Sequence, residues 1–228
     1  MEKQNSNNVS DNAATSIEQG EPFFNQLEAR VIAVLMEKHL ATPKNYPLTM
    51  NSLTNACNQK SNREPVMNLT EGQVGHIVNQ LVERKLAGLE YGDRANKVTH
   101  RVSTALDIDR KQQAILAVLM LRQPQTLNDI KVRTARMAEF ADTEELRRVL
   151  HSLIDRPRPL AVIIPKGPGR REDRYTHTLC GKVDIDSIMP ATSQVDLPVD
   201  NERLDALEAR IAVIEEKLGI SQQPESNE

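Results

Sequence analysis

The chain has no tryptophan, three phenylalanines and three tyrosines among 228 residues. Its hydrophobic cores are therefore aliphatic. Two cysteines, Cys57 and Cys180, are too few for a disulfide framework and point to reduced thiols in a cytoplasmic protein. No apolar run approaches the ~20 residues that span a bilayer. The opening Met1-Glu-Lys-Gln-Asn-Ser-Asn-Asn8 lacks an apolar signal segment. Catalytic and cofactor constellations are missing as well. His39, His76, His100, His151 and His177 show no metal-ligand spacing. Gly167-Pro-Gly169 reads as a turn, no phosphate-binding glycine loop occurs, and no serine sits in a nucleophile-elbow context. The expectation is a protein that is not an enzyme and carries neither metal nor cofactor.

What the chain has is a repeat. Val31-Ile-Ala-Val-Leu-Met36 returns as Ile115-Leu-Ala-Val-Leu-Met120, and Thr49-Met-Asn-Ser-Leu53 as Thr126-Leu-Asn-Asp-Ile130. Val74, Ile77, Val78, Leu81 and Val82 return at unchanged spacing as Leu146, Val149, Leu150, Leu153 and Ile154. Leu86-Ala87 matches Leu160-Ala161, and Thr99-His100 matches Thr176-His177. Matched blocks in one order mean a duplicated unit.

Each copy reads helix, helix, helix, hairpin. In the first, Leu27, Val31, Val34 and Leu35 form an apolar stripe on a helix from about Pro22 to Leu40. Thr49 caps a second helix, and Thr70 with Gln73 is a capping box for a third. The segment Asn58 to Asn68 is polar and holds Pro65, so it is a loop; its Lys60 and Arg63 either brace a phosphate or pack structurally. Leu86–Tyr91 and Val98–Ser103 form a hairpin. In the second copy Asp109, Thr126 with Asp129, and Asp142 with Glu145 open three helices. Leu160–Ile164 and Arg174–Leu179 then flank a longer tip.

That order predicts a mainly α, α+β fold of two tandem winged helix-turn-helix domains with small β-hairpins. The boundaries are a disordered polar tail at 1–21, domain 1 at 22–105, domain 2 at 106–181, a linker at 182–198, a heptad helix at 199–219 and a second tail at 220–228. The chain is long enough for two small domains with separate cores. In the heptad helix, Leu204, Leu207, Ile211, Ile214 and Leu218 form a short coiled-coil-like seam suited to a homodimer, or to docking on the body.

Tyr46-Pro-Leu-Thr-Met-Asn-Ser-Leu-Thr-Asn-Ala-Cys-Asn-Gln-Lys-Ser-Asn-Arg-Glu-Pro-Val66 resembles the signature of the YceH family, bacterial proteins without an assigned role. The resemblance runs from about Phe24 to Leu179 and implies a tandem winged-helix fold without implying an activity. In outline the arrangement is similar to the bacterial segregation and condensation protein B, on architecture alone.

Charge is segregated. Residues 22–181 carry 24 Lys and Arg against 17 Asp and Glu, whereas residues 182–228 carry four against eleven. A basic body suits a polyanion. The third helix of a winged helix enters the major groove and its hairpin touches backbone or minor groove. The outer face of the second copy's third helix offers Arg147, Arg148, His151 and Ser152, with Glu144. Its hairpin offers Lys166, Arg170, Arg171 and Arg174. The first copy offers His76, Asn79 and Gln80 between Glu71 and Glu83, and Arg94, Lys97 and Arg101 on its hairpin. Two functions follow. The first is a DNA-binding protein of regulatory or nucleoid-associated type, holding double-stranded DNA. The alternative is a protein–protein interaction module of a larger assembly that does not touch DNA.

Overall fold

A computed structural model describes residues 22–92, 95–122, 124–167 and 171–184. The heptad seam Leu204, Leu207, Ile211, Ile214 and Leu218 lies outside the described residues, as do both terminal tails. The fold is α+β. Among the described residues there are seven α-helices and two small antiparallel sheets.

In the first repeat these elements are α1 (Gln26–Ala41), β1 (Leu48–Thr49), α2 (Met50–Cys57), α3 (Glu71–Glu83), β2 (Ala87–Glu90) and β3 (Lys97–His100). A one-turn helix, α4 (Val102–Ala105), leads into the second repeat. There follow α5 (Arg110–Met120), α6 (Leu127–Thr134), α7 (Thr143–Ile154), β4 (Ala161–Ile164) and β5 (Arg174–His177).

The helix starts follow from side chains that satisfy the first free backbone N–H groups. Thr49 accepts from the Ser52 amide; Thr70, Asp109 and Thr126 form full capping boxes with Gln73, Gln112 and Asp129. Asn25 with Glu28 makes another at α1, so that helix starts after Pro22, not at it. The expected box at α7 is only half formed. Asp142 accepts from the Glu145 amide, but the Glu145 carboxylate accepts from the Ala141 amide at 2.7 Å and from Lys111. Lys111 lies on α5, and the cross-helix ion pair draws the carboxylate off the cap.

The sheets preserve the duplication in their register. In the first, β3 lies between β1 and β2, with Leu48 opposite Val98. In the second, β4 pairs with β5, and Gln125 bridges Tyr175 at the positions that match Leu48 and Val98. The Gln125 amide donates to the Tyr175 carbonyl at 3.0 Å, and the reverse bond is 2.8 Å.

The repeats do not keep separate cores. One continuous set of buried side chains runs from Phe24 to Leu179. Every residue of Val31–Met36 and of Ala114–Leu121 is buried. A helix apolar all round must be covered all round. Each of these helices turns one side to its own repeat and another to its sister, since α1 packs on α5. Gln113, 3% exposed, donates across this seam to the Met36 carbonyl at 3.1 Å. Leu27, expected on the apolar stripe, is instead 38% exposed. The Phe24 amide donates to the Leu179 carbonyl at 2.9 Å, which ties the start of the described chain to the end of the second repeat. No helix among the described residues is long and apolar enough to cross a membrane.

Candidate nucleic-acid interface

The third helices face as their periodicity predicts. Val74, Ile77, Val78 and Leu81 of α3 are buried, as are Leu146, Leu150 and Leu153 of α7. Val82, Val149 and Ile154 pack partly buried at the edge of the core. His76 and Asn79 on α3 are therefore exposed and Gln80 half-buried, while Arg147, Arg148 and Ser152 on α7 are exposed with His151 half-buried. On the hairpins Lys97, Arg101, Lys166 and Arg171 are exposed and Arg174 half-buried; Arg94 and Arg170 lie outside the described residues.

Part of this set converges. A cleft of about 370 Å³ opens where α6, α7 and the second hairpin meet. Lys131, one turn beyond Leu127 and Asn128 at the start of α6, lines one wall. Thr143 and Arg147, also one turn apart, line the second from α7. Lys166, Arg171 and Tyr175 come from the hairpin, with Glu172 and Asp173. Four cations thus face two carboxylates. Asp173 is turned back on the hairpin, where it accepts from the Lys166 amide at 2.8 Å. The Lys131 ammonium donates to the neutral Thr143 hydroxyl at 3.0 Å, which leaves its charge uncompensated. Lys131 was not among the residues the sequence singled out. It lies on the second helix, and attention to the third helix and hairpin passes over it.

Other candidates are used inside the protein. Arg174 donates to the Pro124 carbonyl at 2.9 Å. Ser152 accepts from the Gln112 side-chain amide at 2.8 Å and donates to the Val149 carbonyl at 2.6 Å. Arg147 lies 3.4 Å from Glu144 across an exposed turn.

The open question about Arg63 is settled by burial. At 4% exposure, Arg63 donates to the Ala56 carbonyl at 3.1 Å and forks onto Glu37, with the shorter contact at 2.6 Å. Arg30, 2% exposed, donates to the Cys57 carbonyl at 3.2 Å and the Pro65 carbonyl at 2.6 Å. Two buried guanidinium groups therefore take up carbonyls at the end of α2, which a helix leaves unpaired. The Glu64 amide adds a bond to the Leu121 carbonyl at 2.8 Å, fixing the loop to the second repeat. This loop is structural. Lys60 stays exposed upon it.

A second polar cluster lies at the seam between repeats. His39 Nδ1 and His100 Nε2 are 3.2 Å apart, and the Gln113 amide nitrogen lies 3.3 and 3.4 Å from them. Ser103 donates to Gln113 at 2.8 Å, and the Tyr46 hydroxyl accepts from the His100 amide at 2.7 Å. Burial pushes the His100 imidazole down to about 4, helped by His39 beside it; burial alone pushes His177 to about 4. His100 Nδ1 is buried with no partner among the described residues. Among the described residues no group of three or more His, Cys, Asp or Glu is placed to hold a metal ion.

Residues 24–170 match the family described as "Protein of unknown function, DUF480". The chain is 45% identical over 203 residues to a UPF0502 protein of Pseudomonas fluorescens (strain Pf0-1), covering 87% of this chain and 93% of the relative. A UPF0502 protein of Pseudomonas putida (strain F1) is 44% identical over 195 residues, covering 83% and 90%. The chain belongs to the UPF0502 family. A further UPF0502 protein, of Vibrio vulnificus (strain YJ016), is 43% identical, with 84% of this chain and 92% of the relative covered. The family match spans the Arg30–Arg63 loop, the histidine seam and most of the cationic cleft.

Proposed function

We propose that this UPF0502 protein is a tandem winged-helix DNA-binding protein that meets duplex DNA mainly through its second repeat. The observation that carries this reading is the cleft at which Lys131, Arg147, Lys166 and Arg171 converge from three elements. A winged helix presents its third helix and hairpin to DNA together, and here that shared edge is the cationic one. Phosphate neutralisation supplies most of the affinity.

The test is a titration of a fluorescent duplex with the full chain at 50 and 200 mM salt. Four neutralised phosphates predict on the order of 100-fold weaker binding at the higher salt. Arg171→Ala, paired with Arg170→Ala, weakens binding at low salt; Arg147→Ala and Arg148→Ala do the same from the helix. Arg174→Ala is a poor probe, because its guanidinium also holds the Pro124 carbonyl. Absence of binding at 50 mM salt rejects the reading.

The second reading is a protein-interaction module. It is favoured by the acidic outer face of α3, where the exposed Glu71 and Glu83 flank His76 and Asn79 with no Lys or Arg on the helix, and by the heptad seam at Leu204–Leu218 that would pair two chains. Association that persists at high salt, without a duplex shift, distinguishes it.

A further inference from the structure

Building on that reading, we infer that the cleft seats the sugar–phosphate backbone of duplex DNA without regard to base sequence, with Lys131 and Lys166 as anchoring cations on its facing walls. This names the substrate class more narrowly than duplex binding does, and it assigns Lys131 a contact.

Three observations lead there. The first is the chemistry of the walls. Lys131 and Lys166 belong to different elements that line one opening; of the two carboxylates there, Asp173 is bound to the hairpin backbone and Glu172 alone remains beside four cations. Ammonium groups on flexible stems are point charges that suit phosphate oxygens and do not discriminate bases. The second is what base reading would need. Asn and Gln, which read adenine, are absent from the outer face of α7, Ser152 has both its hydrogen-bonding roles occupied, and Arg147, one of the two arginines there that could read guanine, lies 3.4 Å from Glu144. Tyr175 in the cleft is 3% exposed, so no ring is available for an unpaired base to stack on. The third is the absence of a matching site in the first repeat. Where the second has Lys131 and Arg147, the first has Thr54 and Gly75, and Glu71 stands in place of Thr143. One chain therefore carries one such cleft among its described residues, and reading paired half-sites would require a second chain.

The experiment uses the full chain, three labelled 30-base-pair duplexes of unrelated sequence, and the double variant Lys131→Ala, Lys166→Ala. Both side chains are exposed, and a circular-dichroism melt checks that the fold is kept; Lys131→Gln with Lys166→Gln preserves the stems should alanine lower the melt. The parent binds the three duplexes within about threefold of one another. The double variant binds each about tenfold more weakly or worse at 50 mM salt. Its log–log salt slope is shallower by about 2, one for each lost phosphate contact. A double variant with parental affinity and slope overturns the inference while leaving duplex binding to another surface. A preference above tenfold for one duplex overturns its sequence-independence. If no duplex binds, and millimolar inorganic phosphate shifts the amide resonances of Leu127, Asn128 and Thr143, the cleft is a site for a small phosphorylated ligand. Both this inference and the duplex reading then fall.

Discussion

The loop after α2 in the first repeat and the cleft beside α6 in the second are built on matching helices and use cationic side chains in opposite ways. In the first, Arg30 and Arg63 point inward, and their terminal nitrogens donate to the Cys57 and Pro65 carbonyls and to Glu37, with Arg63 Nε on the Ala56 carbonyl. In the second, Lys131, Arg147, Lys166 and Arg171 point outward into a shared opening. A buried guanidinium whose donors are engaged inside the fold, as those of Arg63 are by Glu37 and the Ala56 carbonyl, cannot also serve a ligand. An exposed one costs little to hold in place and remains available. At these matched helices, then, one copy's arginines organise the fold and the other copy's cations face outward.

The largest expected effect tests the inward half. Arg63→Ala removes a buried, bidentate partner of Glu37 and leaves the Ala56 carbonyl without its side-chain donor. Breaking one side of a buried pair costs about 3–5 kcal/mol. Urea unfolding of the variant should show a loss of that size. Arg63→Lys should recover only part of it, because an ammonium cannot fork. Lys131→Ala, made in the matching repeat, should leave the urea midpoint within error. A similar cost for both substitutions would erase the distinction between inward-facing and outward-facing cations.

Much of this contrast could not be read from the chain. The caps at Thr49, Thr70, Asp109 and Thr126 were legible because donor and acceptor sit three residues apart. So was the division of α3 and α7 into inner and outer faces, which depends on periodicity alone. Arg63 and Glu37 are 26 residues apart, Arg30 and Pro65 are 35, and Gln113 and Met36 are 77. No local spacing announces such pairs. Lys131 was invisible for a related reason, since its importance comes from the elements that fold against it. The shared core did leave a trace. Six consecutive apolar residues at Val31–Met36, repeated at Ile115–Met120, are too wide for a helix that buries one stripe. That width is what the sister-helix contact requires.

An intermediate effect sharpens the comparison through the two matched histidines. Both have a buried Nδ1 without a partner among the described residues, but the His100 Nε2 sits in a polar seam with His39 and Gln113. Burial lowers both imidazoles in the folded chain to about 4 from an ordinary 6.5. A base whose pKa is depressed by folding binds its proton first in the unfolded chain. Its contribution is full above about 6.5 and is lost as pH falls toward 4. The full window is worth on the order of 3 kcal/mol per imidazole. Urea midpoints at pH 7.5, 6.0 and 5.0 should therefore fall steadily, and His177→Leu should remove about half the slope. Identical pH profiles for variant and parent would mean that His177 takes up its proton without opening the fold.

The smallest effect concerns the position at which the repeats differ most plainly. Gly75 on α3 corresponds to Arg147 on α7, and a methyl group added at Gly75 would meet nothing within 4 Å. Glycine inside a helix costs roughly 0.8–1 kcal/mol relative to alanine, and no internal contact at Gly75 accounts for that cost. Gly75→Ala should therefore raise the thermal midpoint by a few degrees and leave duplex binding alone. Gly75→Arg places on the first repeat the cation that the second already carries. If outward charge on this face is what separates the two, that variant should bind duplex DNA more tightly than Gly75→Ala, by a few-fold at 50 mM salt. The gain should disappear at 200 mM, because a single exposed charge acts through phosphate neutralisation. Equal affinities for the two variants would show that charge at this position does not suffice, and that the hairpin and second helix must supply cations alongside it, as Lys166 and Lys131 do in the second repeat.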